Sequence, residues 1–350
     1  MTARPILESA SQTLCLLLGN GINQAAGVTG GISWDKLMET LVDEAADRAA
    51  RPAEARRKLR SLLARNAQGQ RPASLPEIFD VIEAVGTPAA GAADPAMKAP
   101  SLQARLAALF RDMRPGVPHA KVVAWAQREQ VPILTTNYDH CLQDAVAGLP
   151  CKQFRLKNGR AQSDYYPWDR YYSTAEITDP VKSFAIWHIH GDRALQRSIR
   201  AGLDQYMGMV ERLRKLKRPV AREILSEPAA DPTRSPSYFA APWLRIFMGR
   251  KLWIQGLGLH SDEVSLRWLL IQRFRLWRSF KSDEANATGW YAHGPTEITG
   301  ALDTGRRVFF ESVGLQVIEI AKREEMYEKL FEEAPTSSPR TRARRHRKKP

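Results

Sequence analysis

The chain has 350 residues, 43% of them hydrophobic and 26% charged, which is ordinary for a globular protein and enough for a sizeable core. No apolar run approaches the roughly eighteen residues of a membrane span, and residues 1–11 lack the pattern of a secretion signal, so a cytoplasmic protein with no membrane partner is expected. The formal charge is +14, half of it from seven Lys or Arg in residues 340–350, and the three cysteines, Cys15, Cys141 and Cys151, form no Cys-x-x-Cys pair, which excludes a disulfide framework and a four-thiolate zinc site.

In chain order, Thr13–Leu18 reads as an apolar strand with Cys15 in the core, and it runs into Gly19-Asn20-Gly21-Ile22-Asn23. Glycines at a strand end let backbone amides approach a phosphate closely. A Gly-x-Gly there is equally a tight turn, and the third glycine of the dinucleotide fingerprint is missing. Between Trp34 and Phe110 apolar residues such as Leu37 and Leu41, or Leu59, Leu62 and Leu63, recur at helical spacing, so a helical insertion is expected over about 35–115. Within it, Ser74-Leu75-Pro76-Glu77 has the form of a capping box, starting a helix that runs to about Val85. Thr87–Pro100 then reads as a surface loop.

Pro132–Thr136 is the next strand, continuing into Asn137-Tyr138-Asp139. Asn137 and Asp139, an amide and a carboxylate two residues apart, could orient a ribose and a water, or they could cap the following helix. Phe184–Ile189 leads into His190-Gly191-Asp192, with His188 and His190 on one face if the strand persists. The pair suits acid–base work or one core and one turn histidine. No further ligand cluster is visible at metal-binding spacing, so no metal is expected. Leu203–Leu225 reads as a helix with a basic, solvated side around Arg212, Arg214, Lys215, Lys217 and Arg218. Leu252–Gln255 runs into Gly256-Leu257-Gly258-Leu259-His260-Ser261-Asp262-Glu263, where Ser261 or Asp262 would cap an apolar helix through Val264, Leu266 and Leu269. Trp290–His293 and Leu315–Ile320 are the last strands, and from Pro335 the composition predicts a disordered basic tail able to make weak contact with nucleic acid.

Strands alternating with helices predict an α/β fold, a Rossmann-like parallel sheet flanked by helices. Ligands of such sheets bind beyond the carboxyl ends of the strands, where the four polar or glycine-rich segments would gather. One domain over 1–334 and a tail over 335–350 are expected.

The four segments, in this order, resemble the sirtuin-like family, in particular its bacterial NAD-depleting branch in antiphage defence. Gly19-Asn20-Gly21-Ile22-Asn23 is similar to the family's Gly-Ala-Gly-x-Ser loop, and Gly31-Ile32-Ser33-Trp34-Asp35-Lys36-Leu37 to the start of its next helix. Thr135-Thr136-Asn137-Tyr138-Asp139, preceded by a helix led by His119, resembles Thr-Thr-Asn-Tyr-Asp; His190-Gly191 matches His-Gly; Gly256-Leu257-Gly258-Leu259 with Ser261-Asp262 is similar to the late glycine and serine segment. The resemblance implies NAD as substrate, with Gly19, Asn20, Gly21, Ile22 and Asn23 at the pyrophosphate and Thr136, Gly256, Leu257, Gly258 and Asp262 completing the nucleotide site. It implies Asn137, Asp139 and His190 at the nicotinamide riboside: Asn137 orienting ribose and water, Asp139 supporting that geometry, His190 as general base or ribose contact. Asn20 and Asn23 depart from the family's Ala and Ser, and the cysteine quartet and Phe-Gly-Glu segment of the deacylases are absent. An NAD hydrolase is therefore the expectation, held in check by a homo-oligomer or a regulatory partner. An NAD-dependent deacylase or ADP-ribosyltransferase and a non-catalytic NAD or ADP-ribose sensor are the alternatives.

Overall fold

A computed structural model describes residues 3–27, 33–67, 69, 71–87, 101–156, 164–225, 241–278, 289–294, 302–328 and 331. Gly31 and Ile32, the 87–100 loop beyond Thr87, and the basic tail lie outside the described residues.

Eight strands form one sheet: β1 Leu14–Leu18, β2 Ile133–Thr135, β3 Lys152–Arg155, β4 Arg170–Ser173, β5 Ile186–His188, β6 Lys251–Gln255, β7 Gly289–His293 and β8 Leu315–Glu319. Their spatial order is β3-β4-β5-β2-β1-β6-β7-β8. The six strands from β5 to β8 in that order pair in parallel, whereas β3 and β4 extend one edge in antiparallel fashion. All six parallel strands coincide with the apolar runs of the sequence. In β1 every residue is buried, because helices cover both faces of the sheet. Cys15 and Leu17 face one core cluster and Leu14, Leu16 and Leu18 the other, which is the period-two alternation of a strand. Cys15 is indeed core, and burial pushes its thiol up to about 12.

The helical insertion comprises helices Trp34–Ala46, Pro52–Leu63, Leu75–Gly86 and Leu102–Leu109. The capping box is present: Glu77 N donates to Ser74 Oγ at 3.4 Å and Ser74 N donates to Glu77 Oε2 at 2.7 Å. The insertion has its own core, built from Leu37, Leu41, Ile78, Phe79 and Ile82, and that core takes in Tyr138, Cys141 and Ile199 from the sheet's loops. The insertion therefore leans on the carboxyl end of the sheet. Among the described residues no helix is long and apolar enough to cross a membrane.

Candidate functional site

Gly19–Asn23, Thr136–Asp139, His190–Asp192 and Gly256–Gly258 all emerge from the carboxyl ends of neighbouring parallel strands, β1, β2, β5 and β6. The first and last are joined directly. Gly21 N donates to Gly256 O at 2.8 Å, and a Cβ on Gly21 would sit 2.5 Å from Gly256 Cα, while one on Gly19 would overlap Leu257. Loop-on-loop packing thus accounts for both glycines before any phosphate is invoked. The side chains of Ile22 and Leu257 are both buried, and the Leu257 carbonyl accepts from the Tyr291 hydroxyl at 2.7 Å. Thr136 is half-buried, with its amide donating to Leu18 O at 3.1 Å.

Asn23 is the centre of a buried relay. Its Nδ2 donates to Asp139 Oδ2 at 2.8 Å and to Asn20 Oδ1 at 2.9 Å, and its Oδ1 accepts from His119 Nε2 at 2.8 Å. His119 Nδ1 accepts from Gly116 N at 3.1 Å, so the hydrogen-bond pattern assigns the Nε2–H tautomer. Burial lowers the proton affinity of this ring despite the nearby Asp139, consistent with a neutral imidazole. Asp139 Oδ1 accepts from Cys141 N at 2.9 Å, at the start of helix Cys141–Asp144. Asp139 therefore closes a turn onto the first residue of that helix, whose N-cap is His140, and fixes the glycine loop through Asn23. Through Asn23 it also ties the loop after β2 to the loop after β1.

Asn137 is 7% exposed, and its Nδ2 has no hydrogen-bond partner among the described residues. Its carbonyl accepts from His188 Nδ1 at 2.7 Å. The strand ends at His188, so the two histidines do not share one environment. His188 packs against the rings of His140 and Tyr172, whereas His190 meets the Tyr206 ring and lies 3.3 Å from Ser265 Oγ through Nε2. Burial, with Arg200 adding to it, pushes His190 down to about 3. A neutral ring with so little proton affinity is suited to hydrogen bonding and poorly suited to taking a proton.

Two features escaped the sequence reading. The first is the trio His140, His188 and Asp192, whose ligand-capable atoms lie within 4.8 Å of one another. Asp192 accepts from His140 Nε2 at 2.7 Å and from the Tyr172 hydroxyl at 2.6 Å. Burial opposes ionisation of Asp192, yet these hydrogen bonds hold its carboxyl well below the usual range. His188 Nε2 faces Gln143 Nε2. The trio could hold a divalent cation by its chemistry, but its atoms are engaged with one another and with neighbouring side chains. Treatment of the protein with a chelator is expected to leave its melting temperature and its circular dichroism spectrum unchanged. Loss of either, restored by a divalent ion, would assign a metal to this trio.

The second is Glu263, one residue before helix Val264–Arg278. Its Oε2 is buried with no partner among the described residues, and burial, then repulsion from Asp262, pushes the carboxyl up to about 7. Its charge in turn bears on Tyr138 and Tyr206. Asp262 itself accepts from Leu75 N at 3.3 Å, docking the helical insertion. A raised carboxyl binds its proton more tightly in the folded chain than in the unfolded one, so its contribution is intact below an ordinary pKa of 4.5 and is lost as pH rises towards 7. Glu263→Gln is expected to match the wild type in denaturant unfolding at pH 5 and to exceed it at pH 8, by up to about 3 kcal/mol. Equal stability at both pH values would contradict the burial of this group.

Beside Gly258, whose carbonyl accepts from Arg306 at 3.1 Å, lies a recess of about 290 Å³ bounded by His260, Arg267, Asp303 and Arg306. The loops are thus gathered at the carboxyl ends of the central strands, with the described side chains closed over Asn23, Asp139 and His190. Neither a protein-family model nor a curated protein matches this chain.

Proposed function

We propose that the chain binds NAD across the carboxyl ends of β1, β2, β5 and β6 and hydrolyses its nicotinamide–ribose bond. The observation that carries this reading is the Asn137 amide, a buried donor without a partner among the described residues, just beyond the end of a central strand. Buried donors are almost always paired, so a bound ligand is the natural acceptor here. The strand order supports a dinucleotide: counted along the chain, the parallel strands run 3-2-1-4-5-6, the order of a Rossmann sheet. The order reverses between β1 and β6, where the Gly19–Asn23 loop meets Gly256, and such reversals are where ligands bind.

In this reading the pyrophosphate lies along the Gly19–Asn23 loop, with Asn20 within reach, and the adenosine half turns to Gly256–Gly258 and the recess beside it. The nicotinamide riboside reaches Asn137 and His190. Nicotinamide is cationic in NAD and leaves with the bonding electron pair as the C1′–N bond breaks. Water forms the new C1′–O bond and gives up a proton. The protein then has chiefly to stabilise an oxocarbenium-like ribose and hold the water. Asn137 donates to ribose or water, His190 contacts a ribose hydroxyl, and Glu263, with a proton affinity close to neutral, is better matched than His190 to accept the proton. Asn23, Asp139 and His119 position the loop without touching the reacting atoms. A hydrolase needing no acceptor would drain NAD from its host, as in antiphage defence, so restraint by a partner, assembly or a ligand belongs to the proposal.

Incubation of the purified protein with NAD, with and without an acylated peptide, tests this reading. Nicotinamide release independent of the peptide supports hydrolysis. Release only with the peptide would make the chain a deacylase or transferase, and binding without release a sensor.

A further inference from the structure

Helix Leu203–Leu225 buries Tyr206, Met209 and Leu213 and packs against helices Pro242–Gly249, Val264–Arg278 and Leu75–Gly86. Asp204, Met207, Glu211 and Arg214, on its other side, form one wall of a recess of about 510 Å³ whose opposite wall is Tyr165, Tyr166 and Arg200. The sequence marks this side only as a basic helix face, because its aromatic partners lie some forty residues upstream.

Arg200 is the unusual member. It is 5% exposed, and its guanidinium donates to the carbonyl of Arg197 at 3.1 Å and to that of Tyr165. It also sits 4.6 Å from the centre of the Tyr166 ring. Among the described residues no carboxylate forms an ion pair with it. A buried cation held only by carbonyls and ring faces is incompletely compensated, so an anion entering the recess meets a charge that water does not screen. Arg214 adds a second cation, with Arg197 and Arg212 alongside at the tyrosines. Of the two acids in the wall, Glu211 is already paired with Lys215 at 2.9 Å.

An anion alone would not call for the rest of the recess. Tyr165 is 44% exposed, with Arg197 4.3 Å from its ring centre and donating to its hydroxyl at 2.7 Å. Met207, 54% exposed, is a second apolar group in the wall. A flat ring face beside buried and exposed guanidinium groups matches a ligand that carries both a planar base and a phosphate. The volume lies within the range of small-molecule sites, about 300–1,000 Å³.

We propose that this recess binds one nucleotide unit, its base against Tyr165 and Met207 and its phosphate at Arg200 and Arg214, supplied either as a free nucleotide or as one residue of a single strand. This site is separate from the one proposed for NAD, but it is wired to it. Arg200 N donates to His190 O at 2.8 Å and Arg200 O accepts from the Tyr138 hydroxyl at 2.5 Å, so the backbone of this one residue joins the recess to both loops. If the NAD reading holds, occupancy here is a route to the restraint that reading requires.

The binding claim does not depend on NAD turnover and is tested without it. The full chain is titrated with AMP, with UMP and with a fluorescent oligouridylate, alongside Tyr165→Ala, Arg214→Glu and Asn137→Ala, with circular dichroism to verify folding. The expected result is binding of a mononucleotide or the oligonucleotide by the wild type and by Asn137→Ala, weakened about tenfold in Tyr165→Ala, as for the loss of one stacked base, and similarly in Arg214→Glu. Mononucleotide binding identifies a free nucleotide as the source, and binding of the oligonucleotide alone identifies a strand. Absence of binding at millimolar concentration, or undiminished binding by both recess variants, overturns the proposal. Loss in Asn137→Ala alone would move the ligand to the NAD site.

Discussion

Asn137→Ala is expected to lower nicotinamide release by roughly 10²–10³-fold, the scale set by removing one donor aimed at a transition state. Its melting temperature should stay close to that of the wild type, because the deleted Nδ2 makes no hydrogen bond within the described protein and the main-chain ties of Asn137, to Thr135 Oγ1 and from His188, survive truncation. His190→Ala should lose turnover on a similar scale, but with some cost in stability, since the ring fills space against Tyr206 and faces Ser265. Chromatographic assay of nicotinamide, paired with thermal melts, checks both. Wild-type turnover in Asn137→Ala would remove that residue from the reaction.

Gly191→Ala is expected to destabilise the fold by about 3–5 kcal/mol, combining backbone strain with overpacking. Gly191 has φ +116°, and a Cβ there would lie 2.5 Å from Ile199 Cα and against the carbonyl of Ser198. Neither backbone can give way cheaply, because Asp192 N donates to Ser198 Oγ at 2.9 Å and Arg200 N to His190 O at 2.8 Å. Gly148→Ala is the control: φ is +88° but nothing lies within 4 Å of its Cβ, so only strain remains, about 1 kcal/mol. Denaturant unfolding of the two variants measures the difference. Equal losses would mean that the turn after His190 is looser than its contacts imply.

The parallel strands were legible because burial on both faces makes each of them a continuous apolar run, as in Leu14–Leu18, and the capping box because Ser74 and Glu77 are local partners. Lys152–Arg155 and Arg170–Ser173 were not. The first is a mostly exposed, charged edge strand, which is how a sheet edge avoids further pairing, and such a strand carries no hydrophobic period to read. The loops of the candidate site could be read from the strand ends, but not what their side chains touch. Asn23 meets Asp139 across 116 residues and His119 across 96, and His140 meets Asp192 across 52. Only the sheet order brings these together. Ile22 and Leu257 sit inside glycine motifs, and that their side chains are packed in the core is equally hidden from the motif. Glu263 was visible as a residue before an apolar helix, yet its importance lies in burial that no local pattern encodes.

The central claim is that water, and no protein acceptor, cleaves NAD at the carboxyl ends of these central strands. The most direct measurement follows nicotinamide and ADP-ribose together over time, in purified full-length protein and in Asn137→Ala, with NAD as the only added substrate. The proposal predicts that the wild type forms both products in equal amounts while the variant forms neither at a comparable rate. NAD left intact by a folded wild-type protein that binds it, or equal turnover by the variant, would contradict it.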